Sequence, residues 1–323
     1  MTPDWKDTHR LVLLRHLPYD SPEIRDRLSS GTLLRLTSEV AVPADHYRNL
    51  PPWGQAEARA AAVGLTVDKG VVAGKAAARL WGVELLHVEK EVEVQLPGRA
   101  RASGRRTWTT GARYRSVILP DRYHTVERGI RVTTPMRCLL DIARHESPYE
   151  AVVALDSARR LWPGLTVDVI RRDIALMGPV RNGAKFHAAL ERSLPGIGSP
   201  WETLARLLLL DAALPAIHTI ETQVGFRDPL TGRSYFVDIL INGWLVLEVD
   251  GRSKYRGAYG DDPATVVLAE RDREKALQNL GRVVLRVGKS ELSDGGAGEC
   301  TMLQMVRRAL HSFTAPDSLP RAV

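Results

Sequence analysis

The stretch FVDILINGWLVLEVDG, residues 236–251, is apolar enough for a buried hairpin, yet it carries Asp238, Glu248 and Asp250. Carboxylates in such a run raise a question of register. A two-residue turn at Asn242-Gly243 would pair Ile241 with Trp244 and Val237 with Glu248. A three-residue loop over Asn242, Gly243 and Trp244 instead pairs Ile241 with Leu245, Ile239 with Leu247 and Val237 with Val249. One face then becomes wholly aliphatic, and because strand side chains alternate with period two, burial of that face selects this register. Asp238 is then opposite Glu248, with Asp250 two residues along the same face. Opposed like charges destabilise a sheet unless something positive lies between them. A divalent cation supplies it: Mg²⁺ (or Mn²⁺) takes oxygen ligands, binds through one or two carboxylates, and accepts substrate phosphate at its open positions. That chemistry is metal-dependent phosphodiester hydrolysis. The competing reading is a solvated polar face whose acids pair with Arg233 or Arg252.

The blocks FVDIL, LEVDG and ERDREKALQNLGRVVLRV, in that order and spacing, resemble the very-short-patch-repair-like endonuclease domain labelled DUF559, of the PD-(D/E)xK restriction-endonuclease-like superfamily. The resemblance covers residues 196–290. It implies a mixed sheet flanked by helices, with Asp238, Glu248 and Asp250 as metal-binding acids. It also implies a helical glutamate, matched by Glu202, and a helical arginine, matched by Arg273. The superfamily's usual lysine, two residues after the second acid, is here Asp250, so the cation must come from elsewhere; Lys254, where relatives often carry histidine, is one source. Two of these residues have a second explanation. Ser199-Pro200-Trp201-Glu202 is an S-x-x-E capping box with proline at the first helical position, so Glu202 is equally a helix-start residue. Arg273 also fits a surface helix laced with ion pairs.

A second feature is charge. The chain of 323 residues has a formal net charge of +7, which favours polyanionic partners. Residues 99–115, RARASGRRTWTTGARYR, concentrate it: Arg99, Arg101, Arg105, Arg106, Arg113 and Arg115 occur with no acid, interleaved with Trp108 and Tyr114. Guanidinium forks grip phosphates and aromatic faces stack on bases, so the segment suits nucleic acid; a solvated basic loop is the other reading.

The elements that must position these groups follow from periodicity. Helical text alternates with strand text throughout, which argues for an α/β (α+β) chain of more than one domain. Residues 20–30 and 54–65 read as helices, LLRL and EVAV as strands between them. VEVQL, YRSVILP and GIRVTTP read as strands, followed by helices from Thr134. The Gly- and Pro-rich LPGIGSP, residues 194–200, is the best linker. After it come a helix over 200–213, strand text over 219–227, the hairpin, a helix over 265–280, the strand RVVLRV and a last helix. The expected division is 1–90, a winged-helix-like domain; 91–195, a small α/β and helical region; and 196–323, the nuclease-like domain. More loosely, SGTLLRLTSEVAV, GKAAARLWGV and GIRVTTPMRCLLDIA are similar to AbiEi-type antitoxin and transcription-regulator domains, which implies binding to DNA or to a toxin–antitoxin or defence partner protein.

Other classes find little support. Cys138 and Cys300 form no metal-type pair and no disulfide framework. MTPDWKDTHR lacks the apolar core of a signal peptide, and LARLLLLDAAL is too short and too charged to span a bilayer, so cytoplasmic residence is expected. GVVAGKAA lacks the spacing and the hydroxyl of a phosphate loop and reads as a helix start. The nine histidines are scattered without zinc-helix spacing.

Overall fold

The computed structural model describes residues 4–17, 21–102, 104–227, 232–250, 281–293 and 299–313. Contacts divide the chain into two compact units, Met1–Ser193 and Leu194–Val323. The architecture is mixed α/β with three sheets. Among the described residues no helix is long and apolar enough to cross a membrane.

The first unit begins with α1 (Trp5–His9), β1 (Val12–Leu13), α2 (Pro22–Ser29), β2 (Leu33–Arg35) and β3 (Val40–Pro43). These strands form an antiparallel sheet in the order β1-β3-β2. Short α3 (Ala44–Asn49) leads to α4 (Pro52–Thr66), an alanine-rich helix whose small side chains are almost all buried. Small residues let it lie close to the next sheet: a Cβ at Gly64 would come within 2.4 Å of the Ile130 side chain. That sheet holds β4 (Val71–Val72), β5 (Val92–Gln95), β6 (Ala112–Tyr114), β7 (His124–Glu127) and β8 (Ile130–Thr133), ordered β6-β5-β4-β8-β7. Between β4 and β5 lies α5 (Gly74–Leu80), opened by Gly74 at φ +58°. Four helices follow: α6 (Pro135–His145), α7 (Pro148–Leu161), α8 (Val167–Leu176) and α9 (Gly183–Arg192).

Two expectations change here. The break at 90/91 is not a boundary between units: β4 pairs antiparallel with β5 across it, as Val71 with Gln95 and Val72 with Val94. The composition shift marks a change of secondary structure inside one sheet. The strand expected over YRSVILP is shorter and earlier, Ala112–Tyr114: Arg115 N–H makes a last bond to Val94 O, and the chain next pairs at the bridge between Leu119 and Gly98.

The second unit starts with α10 (Pro200–Ala212), then β9 (Ile220–Arg227), β10 (Ser234–Ile241) and β11 (Leu245–Asp250). Strand β12 (Val283–Gly288) and helices α11 (Lys289–Leu292) and α12 (Thr301–Ser312) complete it. The sheet order is β12-β11-β10-β9, antiparallel except for the parallel β11–β12 pair. The aliphatic register predicted above is the one adopted, Ile239 with Leu247 and Ile241 with Leu245. That face packs on α10, α11 and α12 through Ile239, Ile241, Leu245, Leu247, Val249 and Val287 against Ala205, Leu209, Leu292, Met302 and Val306. The turn is fixed by Asn242 (φ +50°) and Gly243 (φ +72°), left-handed positions that asparagine and glycine tolerate. Asn242 also accepts the N–H groups of His218 and Thr219 and donates to Ala216, anchoring the start of β9. The helix expected over 265–280 lies outside the described residues.

Candidate metal centre and basic pocket

Asp238 lies where β10 and β11 part. Their ladder ends at Ile239–Leu247, and the next bond is made by a side chain: Val249 N–H donates to Asp238 Oδ2 at 2.8 Å. The expected pair Val237–Val249 therefore does not form. Val237 instead pairs with Val224 on β9 and joins a second small cluster with Phe226, Leu240 and Val246. Val237 and Leu240 share that cluster while Ile239 faces the large core, so the two-residue period slips across Asp238. The partner strand slips too: Gln223, bracketed by the pairs Val237–Val224 and Ile239–Thr222, has φ +53°.

Glu248 lies between Leu247 and Val249, both in the large core, and so projects to the opposite face with Val246. On the parallel neighbour, Arg286 is its register partner, and Asp250 is beside Gly288. Arg286 falls between Leu285 and Val287, which pack into the large core, so it shares the Glu248 face.

Glu202 enters from α10. Ser199 Oγ accepts Glu202 N–H at 3.2 Å, the first half of the capping box. The second half is displaced by one residue: Glu202 Oε2 accepts the N–H of Gly198 at 2.9 Å rather than that of the cap residue. The same oxygen accepts Gln223 Nε2 at 2.7 Å. Glu202 is thus both a helix-start residue and, through Gln223, tied to the strand position opposite Asp238. Gly198 permits this approach, since a Cβ there would come within 2.9 Å of Glu202 Oε1.

Glu202, Asp238 and Glu248 are 6%, 9% and 7% exposed, and Asp250 is half-buried. Acids so deep are expensive unless hydrogen-bonded or paired, which makes three of them in one unit worth a chemical as well as a structural reading. Among the described residues no group of three or more His, Cys, Asp or Glu side chains is gathered closely enough to hold a metal ion. A cation here would therefore rest on one or two of these carboxylates, with water or substrate oxygens completing its shell, which is the manner of Mg²⁺. The hard oxygen donors of Asp238 and Glu248 fit that ion. Lys254 and Arg273 lie outside the described residues. Gln223 and Arg286 were missed by the sequence reading; the signal that could have found Arg286 is RVVLRV itself, a buried-type strand interrupted by one cation.

In the first unit, the basic segment forms the connection from β5 to β6. Arg115 donates to Glu93 Oε2 at 2.6 Å and Arg105 to Glu91 Oε1 at 3.4 Å, so two of the six arginines are answered by acids of the β5 region. Arg99, Arg101, Arg106 and Arg113 are exposed and make no ion pair among the described residues. An open pocket of about 350 Å³ is lined by Leu96, Arg101, Ala102, Thr107, Trp108 and Tyr114. The Trp108 and Tyr114 ring centroids are 5.5 Å apart, with planes tilted by 53°. Both cysteines are free and buried, and burial pushes the Cys138 thiol far up, away from reactivity.

The chain matches no protein-family model and no curated protein.

Proposed function

We propose that the second unit is a metal-dependent endonuclease that hydrolyses DNA phosphodiester bonds, built like the PD-(D/E)xK nucleases. The observation that carries this reading is the fork between β10 and β11, where buried Asp238 holds the Val249 N–H and lies opposite Gln223, which is tied to Glu202, with buried Glu248 next to Val249. The mixed sheet, with an antiparallel hairpin followed by a parallel strand and covered on one face by helices, supports it.

When bound by Asp238 and Glu248, Mg²⁺ or Mn²⁺ would supply Lewis acidity and a water of lowered pKa. The chain's own residues do the positioning. Val249 N–H holds one oxygen of Asp238 and so sets the direction of the carboxylate. Gln223 links Glu202 to the same part of the sheet. Arg286, beside Glu248, brings a guanidinium suited to a phosphate oxygen and offers the positive charge that Asp250, in the lysine position, does not. Lys254 and Arg273 remain part of the proposal as further cations near the substrate.

Purified protein incubated with supercoiled plasmid and with single-stranded DNA, in Mg²⁺ or Mn²⁺ and beside Asp238→Ala, tests this. Cleavage by the parent that is lost in the variant is expected; equal cleavage by both, or by neither, overturns it.

A second reading has its own support. Asp238 replaces a ladder bond and Glu202 holds a helix start, both structural duties. The β1-β3-β2 sheet, with α2 between β1 and β2, is the strand order of a winged helix. On that reading the chain is a DNA-binding regulator or antitoxin whose second unit keeps a nuclease-like fold without catalysis. A divalent-ion titration without any Asp238-dependent site would favour it.

A further inference from the structure

We infer that the pocket between β5 and β6 receives a single unstacked nucleotide of a DNA strand, the base against Trp108 and Tyr114 and its phosphate on Arg101. This rests on the reading of the chain as a protein that acts on DNA, but on neither metal binding nor cleavage. Three observations converge. The pocket is lined by Leu96, Ala102, Trp108 and Tyr114 together with two polar residues, Thr107 and the cationic Arg101. Its volume of about 350 Å³ is at the small end of the roughly 300–1,000 Å³ typical of ligand sites, room for one nucleotide unit and not for a dinucleotide cofactor. Arg99, Arg106 and Arg113 are exposed cations on the same connection and its flanking strand, available to phosphate oxygens.

The tilt of the two rings matters. Both rings line the pocket, at 53° to one another with centroids 5.5 Å apart instead of in a parallel stack. A planar base laid on either face is attracted whatever its identity, so the site selects for an accessible base and not for a sequence. Bases within a duplex are stacked on their neighbours and do not offer that face. The pocket therefore distinguishes single strands, frayed ends and extruded bases from intact duplex. Arg105 and Arg115, held by Glu91 and Glu93, brace the two sides of the connection instead of contacting the strand.

A free mononucleotide offers the same base and phosphate, so the experiment separates the two sources. Fluorescence anisotropy is measured in EDTA, where no cleavage occurs. The probes are a labelled single strand of about 12 nucleotides, within the ~4–16 footprint of single-strand sites, the matching duplex, and unlabelled deoxynucleoside monophosphate as competitor. Trp108→Ala is expected to weaken single-strand binding by about 5- to 150-fold, Trp108→Phe to retain it within about threefold, and duplex affinity to change by less than about twofold in both. Arg101→Met, at an exposed position that does not threaten folding, is expected to weaken the strand and to lower the salt slope by about one. An unchanged strand affinity in Trp108→Ala and Arg101→Met overturns the inference. So does an equal loss for strand and duplex, or displacement by the mononucleotide at strand-like affinity. Strand binding is read in EDTA, without metal or cleavage, so failure of the nuclease reading and failure of this one give different results.

Discussion

Both units bury acids, and they hold them differently. In the first, Asp141 receives the guanidinium of Arg137 at 3.0 Å and that of Arg144 at 3.4 Å, with Gln95 Nε2 at 3.1 Å on the same carboxylate. Glu93 receives Arg115, Glu89 receives Arg79, and Glu150 receives His87. Guanidinium groups answer Asp141, Glu93 and Glu89, and Gln95 on the Asp141 carboxylate holds β5 to α6. In the second unit, Glu202 accepts the neutral N–H groups of Gly198 and Gln223, and Asp238 that of Val249, among their interactions. A neutral donor orients a carboxylate without cancelling its charge, whereas a guanidinium does both. On the nuclease reading, the donors to Glu202 and Asp238 set the direction in which each carboxylate would meet a cation.

The comparison is most strongly challenged at Asp141. Replacing it with alanine leaves Arg137 buried without its partner and should cost about 3–5 kcal/mol in chemical unfolding of the first unit, with metal binding by the second unchanged. A cost below about 1 kcal/mol would mean that the network is ornamental. Asp238→Asn should do the reverse. The amide oxygen still accepts Val249 N–H, so stability moves by less than about 1 kcal/mol, while cleavage falls by about 10²–10³-fold.

Glu202→Gln sharpens the same point more gently. Its amide oxygen keeps the bond from Gly198, so the helix start holds within about 0.5 kcal/mol. Cleavage falls by about tenfold if Glu202 acts on the site through Gln223. Equal activity would leave it as a helix-start residue alone.

The smallest effect is a pH dependence confined to the first unit. Burial, with His46 and Arg128 adding positive charge nearby, lowers the His9 imidazole from 6.5 to about 4. Neither ring nitrogen has a hydrogen-bond partner, and the ring lies parallel to Trp5. The unfolded chain takes up this proton first, so the contribution is whole above about pH 6.5 and is lost as pH falls through 6.5 toward 4. Glu57, 3.7 Å from His9 and held above its ordinary value chiefly by burial, shifts stability in the opposite sense as pH rises. His9→Phe keeps the stack and removes only the histidine contribution, so its urea midpoint should fall less than the parent's between pH 6.5 and 4. Parallel curves would contradict the burial argument.

Much of the hairpin was legible in sequence. Residues 237–249 alternate strongly enough that only one register buries an aliphatic face, and Asn242-Gly243 names the turn. What was not legible depends on strands distant in the chain. The ladder stops where the Asp238 carboxylate takes the Val249 N–H, opposite a Gln223 with positive φ on β9, and nothing in FVDIL announces that neighbour. Arg286 stands beside Glu248 only because β12 pairs parallel to β11 in one particular register. Likewise the acids that answer Arg105 and Arg115 come from outside the arginine-rich segment, so its composition overstated its free charge. Periodicity reads local faces well; it does not read which strand becomes the neighbour.

The most direct test of the contrast between the two units is Mn²⁺ binding to the full chain, followed by calorimetry, with Asp238→Asn and Asp141→Asn measured alongside. The account predicts a site present in the parent, retained in Asp141→Asn and lost in Asp238→Asn. Mn²⁺ binding that is indifferent to Asp238, or absent from the parent protein, would contradict it.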